Sequence, residues 1–211
     1  MKKIMVFIFA IMFSVSSFAY TLQGSTKNYP KKLIEVENLV NEEGKPTKLS
    51  DFKGKVVILY FGFSNCKYVC PTVNAALKQV AEKLNEKGLR DKYQIVFITV
   101  DPKRDDPKTL KEYKKTRGLD EFTFLTGKPE DLKKAWDAYG IEVKEVEKPT
   151  DEHAMHEHMH MHGGQGKMKM ITHTPVKTII IDKNGNMVEE YLGIYLPVDK
   201  IVEDVEYLIK Q

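Results

Sequence analysis

Val56-Val57-Ile58-Leu59-Tyr60-Phe61-Gly62-Phe63-Ser64-Asn65-Cys66-Lys67-Tyr68-Val69-Cys70-Pro71 is the stretch on which the reading of this chain turns. Its first six residues form a continuous run of β-branched and aromatic side chains, the pattern of a strand buried on both faces. Val69, Val73, Leu77, Val80 and Leu84 then recur at steps of three and four, which predicts an amphipathic helix. Between strand and helix lie Cys66 and Cys70, the only two cysteines of the chain.

Outward from this unit the same alternation continues. Ile95 to Val100 reads as a second buried strand. Asp106 is an N-cap candidate followed by Pro107 at the first helical position, with Leu110 and Tyr113 on one face. Phe122 to Leu125 predicts a short strand, and Leu132, Ala135, Trp136 and Tyr139 another helix. Val176 to Ile181 and Met187 to Leu192 flank Asp182-Lys183-Asn184-Gly185, a strong hairpin signal. Ile201, Val202, Val205, Leu208 and Ile209 predict a terminal helix. On the N-terminal side, Leu33 to Val40 and Thr47 to Leu49 flank Glu43-Gly44-Lys45-Pro46 and predict a further hairpin. Strands alternating with helices imply an α/β domain with a mostly parallel sheet covered on both faces. The closing hairpin and last helix narrow this to a thioredoxin-like fold spanning 33–211, preceded by a polar segment, 20–32.

Composition agrees with one domain plus appendages. The chain has 211 residues, 42% apolar and 30% charged, with a formal net charge of +3. Lys2 and Lys3 supply two of those charges, so the remainder is near neutral, which argues against a nucleic-acid binder. The first nineteen residues have the layout of a secretory signal: the basic pair, an apolar Ile4 to Val15, and Ser17-Phe18-Ala19 as a small-x-small cleavage site. The alternative is an uncleaved anchor, for which the charge-free Ile4 to Tyr20 is barely long enough. Either way the expected location is periplasmic or otherwise exported, free or held at the inner membrane by the N-terminal segment. The two thiols then work in an oxidising compartment.

Cys66 and Cys70 are one helical turn apart if the helix begins near Cys66. A helix N-terminus favours thiolate. Two adjacent thiolates can form a disulfide or hold a soft ion such as Cu(I), and the spacing does not choose between these fates. A disulfide over so short a loop would stabilise the fold little.

The segment 147–170 has no hydrophobic period and is expected to be a flexible loop inserted in the domain. Five of the six histidines lie in it: His153, His156, His158, His160 and His162. So do five of the six methionines beyond the signal: Met155, Met159, Met161, Met168 and Met170. Core methionines scatter among elements rather than cluster. Thioethers suit Cu(I) and imidazoles suit Cu(II), so this loop is expected to bind copper weakly at several positions.

Phe61-Gly62-Phe63-Ser64-Asn65-Cys66, with Cys70-Pro71-Thr72, resembles the signature of the Sco/SenC family, whose pattern is Cys-x-x-x-Cys-Pro. Thr99-Val100-Asp101-Pro102-Lys103-Arg104-Asp105 is similar to the family's Asp-Pro-x-Arg-Asp segment, and His173-Thr174 stands where the family places its metal-ligand histidine. The resemblance covers Leu33 to Lys210. It implies a thioredoxin-like, exported protein that binds copper through Cys66, Cys70 and His173. It further implies delivery to the dinuclear copper site of cytochrome c oxidase subunit II, with a periplasmic copper donor or thiol reductase as second partner. The alternative is a thiol–disulfide oxidoreductase, with Cys66 attacking and Cys70 resolving. Pro175 sits between His173 and the following strand. Either a bulge absorbs about one extra residue there, or Pro175 takes the cis-proline position found beside thioredoxin active sites.

Overall fold

The computed structural model describes residues 20–149 and 167–211. The expected signal segment, 1–19, lies outside them. Among the described residues no helix is long and apolar enough to cross a membrane.

The buried run forms β3 (Val56–Gly62), after two short edge strands, β1 (Lys31–Lys32) and β2 (Val40–Asn41). The first helix is α1 (Val69–Glu86), followed by β4 (Tyr93–Thr99), α2 (Pro107–Arg117), β5 (Phe122–Thr126) and α3 (Pro129–Ala138). Then come β6 (Glu142–Pro149), β7 (Lys167–Thr174), β8 (Lys177–Ile181), β9 (Asn186–Leu192) and α4 (Val198–Lys210). Seven strands make one sheet in the order β1-β9-β8-β3-β4-β5-β2. β3, β4 and β5 run parallel, while β8 joins β3 antiparallel.

The two faces of β3 divide its residues strictly by the period of two that a strand imposes. Val56, Ile58 and Tyr60 pack with α1, α2 and α4, and Val57, Leu59 and Phe61 pack with α3. The Asp106 cap of α2 forms as read, its carboxylate accepting the Thr109 N–H at 2.7 Å. The Asp182–Gly185 turn also forms, with Asp182 accepting the N–H groups of Asn184 and Asn186.

Two expectations are corrected. The hairpin across Leu33–Val40 and Thr47–Leu49 reduces to a tight turn, with the Asn41 N–H on the Lys45 carbonyl at 2.9 Å and a single Val40–Pro46 bridge. Val40–Asn41 instead pairs with β5 and Lys31–Lys32 with β9, at opposite edges of the sheet. The physical reason is burial: Val36, Leu39 and Leu49 are drawn into the core beside α3, so this segment covers the sheet rather than forming a ribbon of its own. The second correction concerns the 147–170 loop. Both of its ends are strand, since β6 and β7 pair from Glu142↔Thr174 to Pro149↔Lys167 in a separate two-stranded sheet. Among the described hydrophobic side chains of this ribbon, Val143 and Ile171 pack on the core, and too little apolar alternation runs along it for the sequence to announce it.

After β7, the Thr174–Pro175 peptide is cis. The register of β8 with β9 shifts between Ile180 and Ile181, but the extra residue there is Val188 on β9, so this is not the bulge expected between His173 and Gly185.

The chain from Tyr20 to Ser25 is strapped across β9 and α4. Asp204 accepts the Tyr20 hydroxyl at 2.7 Å, the Gln23 N–H and the Tyr191 hydroxyl. Glu189 accepts the Gly24 N–H at 2.7 Å, and both carboxyl side chains are fully buried. Burial, reinforced by Asp204, pushes the Glu189 carboxyl up to about 8. A raised carboxyl contributes its stability below the ordinary carboxylate range and loses it as pH rises through the folded value. Stability should therefore fall by a few kcal/mol between about pH 4.5 and pH 8. Glu189→Gln should flatten that slope in denaturant melts taken across the window. An unchanged slope would place the titration elsewhere.

Candidate metal centre

β3 ends at Gly62 and the chain turns through Ser64 and Cys66 into α1. The helix begins at Val69, not near Cys66, so only Cys70 lies in its first turn. Tyr68 occupies the N-cap position without a side-chain cap bond. The Cys66 sulfur fills that role, accepting the Cys70 N–H at 3.3 Å. A helix N-terminus leaves its first N–H groups unpaired, and here an anionic sulfur is the acceptor that meets them.

The two thiols are free and unequal. Cys66 is half-buried, and Cys70 is only 1% exposed. The hydrogen bond from the Cys70 side chain, helped by the N–H groups of Cys70, Tyr68 and Val69, lowers the Cys66 thiol to about 6. The same bond to Cys66, together with burial, pushes Cys70 up. Cys66 is thus the thiolate at neutral pH and Cys70 the proton-bearing partner. Alkylation of the reduced protein by iodoacetamide should rise with pH through a midpoint near 6, against about 8.5 for an unperturbed cysteine. A midpoint above 8 would show that the helix terminus does not activate Cys66. Close packing holds the pair in place. A side chain at Gly62 would bring its Cβ to 2.9 Å from the Cys70 sulfur and from the Phe97 ring.

His173 lies at the end of β7, off the main sheet. It lines the same cavity of about 510 Å³ as Cys66, together with Phe63, Tyr68, Arg104 and Met170. Its ring is 8% exposed and its Nδ1 is buried without a hydrogen-bond partner. Burial lowers its pKa to about 4, so the imidazole is neutral and able to ligate without losing a proton. Among the described residues no three His, Cys, Asp or Glu side chains converge closely enough to hold a metal ion. The structure brings Cys66 and Cys70 together and sets His173 on the same cavity.

Of the other predicted positions, Met170 lines this cavity and Met168 falls in β7. His153, Met155, His156, His158, Met159, His160, Met161 and His162 lie outside the described residues.

The sequence reading singled out Asp101 to Asp105 without giving its role. Asp105 is fully buried and accepts the Ser64 N–H at 3.1 Å, the Ser64 hydroxyl, and the Thr99 hydroxyl at 2.6 Å. It ties the cysteine loop to the end of β4. Arg104 is held by Asp101 and reaches the cavity. Trp136, on α3, donates to the Thr99 carbonyl at 3.0 Å and braces the same strand end. No spacing rule announces the contacts of Asp105 with Ser64 and of Trp136 with Thr99, because they join residues 41 and 37 positions apart; only the acidic segment after a central strand hinted at them.

This geometry stands beside a sequence match. The SCO1/SenC family model matches residues 27–210. The chain belongs to the SCO1/SenC family. It is 28% identical over 183 residues to the SCO2-like protein of Rickettsia typhi, covering 86% of this chain and 81% of that protein. With the SCO2-like protein of Rickettsia prowazekii it shares 31% over 155 residues, 72% of this chain and 66% of the relative. Among solved structures, the apo Sco1 protein of Thermus thermophilus is 30% identical, with a TM-score of 0.68, covering 90% of this chain and 99% of that one. Yeast Sco1 with copper bound is 25% identical at a TM-score of 0.65, covering 86% and 90%. These neighbours carry the thioredoxin-like fold, as this SCO1/SenC chain does.

Proposed function

We propose that this protein is an exported copper metallochaperone. In this reading it binds one copper ion through Cys66, Cys70 and His173 and delivers it to the dinuclear copper site of cytochrome c oxidase subunit II. The observation that carries the reading is the donor set: an activated thiolate and a neutral imidazole with an unpartnered buried nitrogen on one cavity, and a second, buried thiol hydrogen-bonded to the first. Two thiolates and one imidazole suit three-coordinate Cu(I). The yeast and Arabidopsis thaliana relatives solved with copper bound support the choice of metal.

Copper is cargo here. Arriving at Cys66, it displaces the proton of Cys70, since a thiol must deprotonate to ligate. Transfer to the partner proceeds by exchange of one thiolate for another, with no net oxidation. The expected location is the periplasm, and the histidines and methionines of the 147–170 segment add weaker copper positions.

Anaerobic titration of the reduced protein with Cu(I) tests this reading. One tight equivalent is expected, and His173→Ala should weaken it roughly 10- to 100-fold, the usual cost of disturbing a metal site. If His173→Ala keeps both the affinity and the absorption spectrum, the ligand set is wrong.

The inequality of the thiols favours a second reading as well, reduction of a disulfide in an exported copper protein. Cys66 thiolate would attack one sulfur of the client and Cys70 would then displace it. The client leaves as a dithiol and this chain as a disulfide, to be reduced by a periplasmic thiol reductase. Turnover of a disulfide-bonded subunit II fragment, without copper, measures this directly.

A further inference from the structure

The cavity beside the thiols carries one sulfur donor outside the tight ligand set, Met170, counted so far only among the weaker copper positions. Met170 stands in β7 three residues before His173 and lines the cavity with Cys66 and His173. β7 pairs only with β6, so among the described strands its other edge is open. That open edge explains how consecutive residues, Met170 to His173, all border the cavity.

The soft and borderline donors are graded by depth. Met170 is 36% exposed, Cys66 is half-buried, His173 is 8% exposed and Cys70 1%. No carboxylate lines the cavity; of its two cationic residues, Arg104 is held by Asp101, and Lys67 is exposed to solvent, where its charge is screened. A soft cation entering from solvent therefore meets the thioether first. Packing does not account for a methionine here, because a methionine that fills core space is buried. Thioether sulfur is uncharged, needs no deprotonation and binds Cu(I) more weakly than thiolate, which are the properties of a ligand that must also let go.

We propose that Met170 is a relay ligand, which takes Cu(I) at the cavity mouth and passes it to Cys66. The inference rests on the copper reading above. In the step, the bond from copper to the incoming carrier breaks as the Met170 sulfur–copper bond forms. That bond then breaks as the Cys66 sulfur–copper bond forms. No electron moves, and Met170 gains and loses no proton. Departure follows the same path in reverse.

The experiment compares the reduced, full-length wild type with Met170→Leu and Met170→Gln. Glutamine keeps the side chain's length and leucine its apolar character at an exposed position, so a variant that misfolds still leaves the other to report. Each protein is mixed anaerobically with Cu(I) held by a coloured chelator, and uptake and back-transfer to free chelator are followed in time. Both rates should fall about tenfold, the low end of what loss of a supporting group costs a metal site. Their ratio, the affinity, should stay unchanged. Unchanged rates overturn the relay. A weaker affinity with unchanged uptake overturns it too, because Met170 would then be a resident ligand. If the wild type takes up no copper, the copper reading falls and the relay with it. If the wild type loads and both variants match its rates, only the relay falls.

Discussion

Cys66→Ser is expected to lower the affinity for Cu(I) on the order of a thousandfold, about 4 kcal/mol at 1.4 kcal/mol per decade. Serine keeps the shape but replaces the soft anionic donor with a hard neutral one. Cys70→Ser should lose a similar amount, and either change should abolish disulfide exchange. The two variants should separate in stability. Cys66 is half-buried, and a serine oxygen can still accept the Cys70 N–H. Cys70 is a core residue packed among Phe61, Phe63 and the β3–β4 side chains, so a hydroxyl there costs about 1–3 kcal/mol unless it finds a partner. Competition against a Cu(I) chelator measures the first effect and thermal melts in reductant the second. Retained tight binding in Cys66→Ser would remove the outer thiol from the ligand set.

Asp105→Ala is expected to be the most damaging single change outside the donors. It leaves the Ser64 N–H and the Ser64 and Thr99 hydroxyls without their acceptor, the Thr99 hydroxyl fully buried and Ser64 part-buried. Each stranded donor costs about 1–3 kcal/mol when fully deprived. Relaxation of the loop recovers part of this, so a net loss of roughly 2–4 kcal/mol is expected. For a chain of this size that corresponds to about 5–12 °C in Tm. Asp105→Asn keeps one carbonyl acceptor and should lose distinctly less. Burial already pushes the Asp105 carboxyl up, so the neutral amide also avoids the cost of a buried charge. Freed from β4, the cysteine loop should also react faster with iodoacetamide at Cys70. A melt shifted by less than a degree would mean that the loop is held by something other than Asp105.

Much of this was legible in the sequence, and the exceptions share a cause. The strands at Val56–Gly62 and Tyr93–Thr99 are buried on both faces, and their unbroken apolar runs say so. The Asp106-Pro107 cap and the Asp182–Gly185 turn are local chemistry, readable within a few residues. The thiols were legible because they sit where a buried strand meets an amphipathic helix. The hairpin expected near Glu43–Pro46 was misread because Leu39 and Leu49 face the core beside α3, and local alternation cannot tell a ribbon from a covering segment. The β6–β7 ribbon was missed for the opposite reason, since its pairing partners lie 18 to 32 residues apart and few of its described side chains are buried. The hold of Asp105 on Ser64 and the shared cavity of Met170 and His173 are products of the folded arrangement alone.

The β6–β7 ribbon gives the site an unequal mechanical footing. The sulfurs are rooted in a seven-stranded slab with helices on both faces, whereas the imidazole rides on a narrow two-stranded arm bound to that slab mainly through Val143 and Ile171. A slab of that kind yields only by unfolding, while a two-stranded arm yields locally and at small cost. If copper is the cargo, as proposed, the grip on it would be compliant on one side only. Withdrawal of the arm would then leave the ion to the sulfurs of Cys66 and Cys70, open to a partner's thiolates.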